Sequence, residues 1–145
     1  MLRSLLIAIL LASVLFASSG CGVAYRINRD KLLSTATETD YGPPPPENHQ
    51  DIAAQVIRQQ LKDPDSAQFQ FGGIARDAIQ TGPMSPTAML VWRTSALVNA
   101  KNSYGGYTGF QPWHLAWKNG RVIAIAPPIV MRGGEVVDGM WQYLP

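Results

Sequence analysis

The sequence predicts an α+β domain, one N-terminal helix packed on an antiparallel sheet of about four strands, and three observations predict it. Asn119-Gly120 separates two apolar runs, Trp113 to Trp117 and Val122 to Ala126. Met89 to Ala100 is long enough for a strand and mostly apolar on both alternating faces. Ahead of them, Ile52, Ala53, Val56, Ile57 and Leu61 recur at helical spacing.

The chain opens on Arg3, the apolar run Leu5 to Ala17, and Ser18-Ser19-Gly20-Cys21. A cationic start, an apolar run and small residues describe an export signal over residues 1–20. The run spans 13 residues, short of the roughly 20 that a membrane span needs, which disfavours an uncut anchor. Cys21 is the sole cysteine, so no internal disulfide can form. Cys21 after Ser18-Ser19-Gly20 resembles the lipobox of bacterial lipoproteins, in which the cysteine becomes the acylated first residue. Ser18 stands where that family usually has an aliphatic residue, and ordinary cleavage after Ser19 or Ala24 would instead leave a free thiol. The resemblance implies anchoring to the lipid bilayer through Cys21. Gly22, being no aspartate, implies the outer membrane, facing the periplasm.

Removing residues 1–20 takes away one cation and leaves 11 Lys/Arg against 10 Asp/Glu, a net charge of +1. No basic cluster is present, which argues against a nucleic-acid partner. Residues 21–47 read as a lipidated start and a tether, with a short helix considered around Arg29 to Thr35. The tether ends in Gly42-Pro43-Pro44-Pro45-Pro46, a polyproline II spacer of about 3.1 Å per residue. A single domain over 48–145 follows.

In that domain Asn48, with Asp51 three residues on, offers a helix cap, and Asp63-Pro64 a stop. Phe69 and Phe71 begin the first strand, and Gly72-Gly73 predicts a bulge. Met89 to Ala100 belongs in the sheet's centre. The next strand runs from Thr108 to Lys118, and Pro112 requires a bulge or an open edge there. Asn119-Gly120 suits a type I′ turn, which pairs Trp117 with Val122, Leu115 with Ala124 and Trp113 with Ala126 on the core face. Ile129 to Asp138, around Gly133-Gly134, fits a C-terminal hairpin, and Met140, Trp141, Tyr143 and Leu144 an apolar tail that docks on the sheet or meets a partner.

Leu61-Lys62-Asp63-Pro64-Asp65-Ser66-Ala67-Gln68-Phe69 and the segment Val98-Asn99-Ala100-Lys101-Asn102-Ser103-Tyr104-Gly105-Gly106-Tyr107-Thr108-Gly109-Phe110 resemble those of a group of small exported bacterial proteins and lipoproteins. The two motifs cover 22 residues. The group carries no assigned activity, so it implies fold and location only.

The most distinctive candidate is the loop between strands. Asn99, Lys101, Asn102, Tyr104, Tyr107 and Trp113 offer polar groups and stacking rings, with glycines that let a ligand approach the backbone. The plainer reading is a hairpin connection whose tyrosines cover one end of the core. It is no phosphate loop, since no Gly-Lys-Ser/Thr follows, and no cofactor is implied. His49 and His114 lack ligand-spaced partners, so no metal is implied. The expected function is therefore a non-catalytic envelope lipoprotein that binds a protein partner. The alternatives are peptidoglycan or glycan recognition through Tyr104, Tyr107 and Trp113, and a small periplasmic hydrolase using His114 with Asp77 or Ser103.

Overall fold

Asn119 and Gly120 both take positive φ, 51° and 73°, the pair of left-handed conformations that a type I′ turn demands. They join β3 (Gln111–Lys118) to β4 (Arg121–Ala126). The computed structural model describes residues 24–82, 85–130, 136–138 and 140–145. The signal segment, Cys21, Ser18, Gly22 and the Gly133-Gly134 turn lie outside the described residues.

β1 (Gln68–Gln80), β2 (Ala88–Asn99), β3 and β4 form an antiparallel meander, and the tail adds β7 (Gln142–Tyr143) beside β4. The sheet is thus the expected antiparallel meander of about four strands with a two-residue fifth added, because backbone groups on β4's outer side find partners in the tail. The register of β1 on β2 shifts between Phe71 and Ile74, the bulge foreseen at Gly72-Gly73. β2 is flanked on both sides, as its two apolar faces require. The C-terminal hairpin is present as β5 (Pro128–Val130) paired with β6 (Val136–Asp138).

The β3–β4 register departs from expectation. Trp117 faces Val122, but the ladder then shifts, so that Ala116 faces Ala124, Leu115 faces Ile125 and His114 faces Ala126. One extra residue on β4 forms a bulge, and Ile123 and Ala124 both pack in the cluster with Ile79, Val91 and Ala116. β3 begins at Gln111, later than Thr108, and pairs with β2 through Pro112 without a shift. Its ladder with β4 stops at His114, leaving the other edge of Pro112 open.

Helix α1 spans residues 24–35 and α2 spans His49–Arg58. The apolar side of α2 covers one sheet face: Ala53 and Ile57 pack with Val98, Trp113, Leu115, Trp117 and Ile125. Asn48 precedes α2 but makes no side-chain cap. The Pro46 carbonyl closes that turn instead, accepting from His49 N at 2.9 Å and His49 Nδ1 at 3.0 Å. Regular helix ends at Arg58, before Asp63-Pro64; Asp63 Oδ1 accepts from Ser66 N at 3.3 Å in the 3-10 turn that follows.

Residues 24–46, expected to be a free spacer, lie on the sheet. Tyr25 Oη and Arg29 Nε donate to the Ala78 carbonyl at 3.2 and 3.1 Å. Leu32 and Leu33 pack with Ala78 and Leu90, Tyr41 is buried there, and Trp92 Nε1 donates to Gly42 O at 3.1 Å. Pro45 is buried. The folded unit thus includes α1, since its leucines and Tyr41 cover apolar surface that β1 and β2 would otherwise expose to water.

Candidate functional site

Asparagine side chains set the shape of the loop between β2 and β3. Asn102 Oδ1 accepts from Tyr104 N at 2.9 Å and Gly106 N at 3.2 Å, and Asn102 N donates to Gly106 O at 2.9 Å. Asn99 Oδ1 accepts from Gly109 N at 3.0 Å. Gly105 and Gly109 take φ of 80° and 84°, which a side chain would strain. Lys101 Nζ sits 5.7 Å from the Tyr107 ring centre. On this frame Tyr104 is 96% exposed, with Tyr107 and Phe110 partly so. Trp113 does not join them: it is 7% exposed, packed under α2. Asn99 and Asn102 thus build the loop, which presents Tyr104, Tyr107 and Phe110, with the half-buried Lys101 beside Tyr107.

The opposite sheet face holds a polar cleft of about 190 Å³ lined by Tyr25, Arg29, Asp77, Arg93, His114 and Trp141. Asp77, 6% exposed, is held between two arginines: Arg29 Nη2 reaches Oδ1 at 2.6 Å and Arg93 Nη1 reaches Oδ2 at 3.0 Å. Burial opposes the Arg29 charge, but hydrogen bonding to Asp77 and its charge outweigh it and raise the Arg29 pKa. Burial raises the pKa of the Tyr25 hydroxyl, with Arg29 pulling the other way. Burial likewise raises that of Tyr143, whose hydroxyl is buried without a hydrogen-bond partner. Among the described residues Arg93 Nε is the other such atom.

His114 and Asp77 line this same cleft, so the structure brings together two residues of the hydrolase alternative. Asp77, however, gives both oxygens to arginines, while His114 Nδ1 shares a 2.9 Å hydrogen bond with Ser95 Oγ. Ser103 lies in the exposed loop and does not line the cleft. His49 packs edge-on against Trp117, 6.5 Å between ring centres. Among the described residues no three His, Cys, Asp or Glu side chains gather in a metal-binding group.

Arg29, Arg93, Tyr25 and Trp141 went unnoticed as site residues. One signal was available: Arg93 is the one charged residue of the central strand Ala88–Asn99, where a half-buried cation gains from a partner. Locating that partner needed the β1 bulge, which sets Asp77 across from Val91 and Ala75 across from Arg93. No protein-family model matches the chain, and neither a curated protein nor a solved structure is significantly similar to it.

Proposed function

We propose that the chain is an exported lipoprotein of the cell envelope, acylated at Cys21 and seated at the outer membrane facing the periplasm. Its α+β domain binds a protein partner through the loop of Lys101, Tyr104 and Tyr107. The observation that carries the binding reading is Tyr104, almost wholly exposed on a backbone fixed by Asn102. A large ring on a pre-ordered loop loses little entropy on binding, which is why tyrosine is favoured at interfaces. The glycan alternative loses its third stacking face, because Trp113 is in the core.

The docking of α1 revises how an anchored domain would be held. Two residues separate Cys21 from the described helix. An acyl chain at Cys21 therefore keeps the domain close to the bilayer, not at the end of a proline spacer.

A photo-crosslinking residue in place of Tyr104 should capture a discrete protein in intact cells, and Tyr104→Ala with Tyr107→Ala should abolish that partner's co-purification. An unchanged crosslink pattern in the double variant rejects the loop. Mass spectrometry of the mature N-terminus tests the anchor: an acylated Cys21 is expected, and an unmodified cysteine or a start at Tyr25 overturns it. The hydrolase alternative is favoured by one observation, His114 beside Asp77, and His114→Ala with fold and phenotype intact removes it.

A further inference from the structure

We propose that the cleft at Arg93 binds a carboxylate carrying an apolar group, with the anion on the free Nε edge of the guanidinium. The apolar group would lie in the adjoining groove of Phe71, Leu97 and Pro112.

Charge is the first argument. Among the described residues, two guanidinium groups and one carboxylate line the cleft, an excess of one cation. Asp30 does not balance it at this point, since it lies 3.7 Å from Arg29 on the exposed side and not beside Arg93. Geometry is the second. Arg93 gives Nη1 to Asp77, while Nε is buried with no partner. A planar guanidinium presents two parallel N–H bonds along its Nε edge, a fork that fits a carboxylate better than any neutral acceptor. A buried donor left without an acceptor is rare enough to call for one.

The third argument is the neighbouring groove, about 280 Å³, whose walls include Phe71, Ala96, Leu97 and Pro112. It shares His114 with the polar cleft, so the two adjoin. Leu97 is 42% exposed at its rim. A polar end with an unmet cationic fork and an apolar continuation select a ligand built the same way. Both a peptide C-terminus and an acyl chain have that chemistry.

The test uses the full chain in dodecyl maltoside micelles, titrated with N-acetyl-leucine, its amide, hexanoate and acetate. Binding is read from the Arg93 Nε–H resonance and, in every variant, from the indole N–H of Trp141, which also lines the cleft. N-acetyl-leucine should shift that resonance saturably, and the amide should bind about tenfold more weakly or worse, since hydrogen bonds to charged groups are the strong ones. Arg93→Lys keeps a cation toward Asp77 but removes the fork, and should lose about tenfold in affinity while the thermal midpoint holds. Leu97→Ser should weaken N-acetyl-leucine and leave acetate unaffected. Preference for N-acetyl-leucine over hexanoate assigns a peptide terminus, and the reverse an acyl chain. Equal binding of acid and amide overturns the proposal, as does an unmoved Arg93 resonance or full affinity in both variants. Tyr104→Ala should leave this binding intact, so failure here and failure of the loop reading are separable.

Discussion

The two faces of the sheet are built from alternate residues of the same strands, yet they are used differently. Under α2, Ile57, Leu115, Trp117 and Ile125 are wholly buried, and Trp117 Nε1 is satisfied within the core, donating to Thr94 Oγ1 at 2.9 Å. On the other face a smaller apolar cluster of Ile79, Val91, Ala116 and Ala124 adjoins the Arg29–Asp77–Arg93 network and its two unmet buried atoms. Burying apolar surface stabilises in proportion to area, while a buried charge pair roughly breaks even. Stability should therefore be concentrated under α2, and the second face is free to carry groups that a ligand can use.

The largest break in that asymmetry should come from Trp117→Ala. Emptying a fully buried indole site costs about 3–5 kcal/mol, a large part of a small domain's total. Urea unfolding followed by circular dichroism checks it, and a loss below about 1 kcal/mol would show that the helical face is not the core. Asp77→Ala comes next. Removing one partner of a buried ion pair costs about 3–5 kcal/mol, but Arg29 and Arg93 are each more than a third exposed, so solvent reduces this to about 2 kcal/mol. Should Asp77→Ala equal Trp117→Ala in the same assay, the two faces contribute alike and the contrast fails. Tyr143→Phe should go the other way and stabilise by up to about 1 kcal/mol, because it deletes a buried hydroxyl with no partner. A destabilised phenylalanine variant would reveal an acceptor for that hydroxyl.

The same contrast separates what the sequence displays from what it conceals. The α2 stripe, the Gly72-Gly73 bulge and the Asn119-Gly120 turn are local patterns, and each is where the spacing puts it. The slip at Ile123 is hidden because Val122 to Ala126 is apolar at every position, so alternation cannot show which residue is extra. Trp113 has two readings in the sequence, a stacking face beside the loop and, by strand parity with Leu115 and Trp117, a core residue, and parity is the one that holds. Arg29 meets Asp77 across 48 residues and no local pattern announces such a contact. The capping pattern sought at Asn48 and Asp51 occurs instead at Thr37 and Asp40.

That turn supplies the smallest and most selective effect. Asp40 Oδ2 accepts from Thr37 N and Thr37 Oγ1, both at 2.8 Å. The backbone contact from Thr37 first, then the hydroxyl, hold its carboxyl below its ordinary pKa. A depressed folded pKa means that the contact's contribution is complete above the unfolded value and disappears as pH falls through the folded one. The turn also positions the Asp40 and Tyr41 carbonyls that accept from Lys118 Nζ at 3.0 and 3.3 Å, and Gly42 beneath Trp92. Acid should therefore loosen the rim of the helical face first, because its interior contains no ionisable pair to protonate. In a pH titration by NMR, the Thr37 amide and Trp92 Nε1–H should move together at a midpoint below that of an unstructured aspartate, with Trp117 Nε1–H unmoved. Asp40→Asn should abolish the Thr37 transition. If Trp117 titrates in step with Thr37, the rim and the interior open as one, and the helical face is less separate from its edge than its packing indicates.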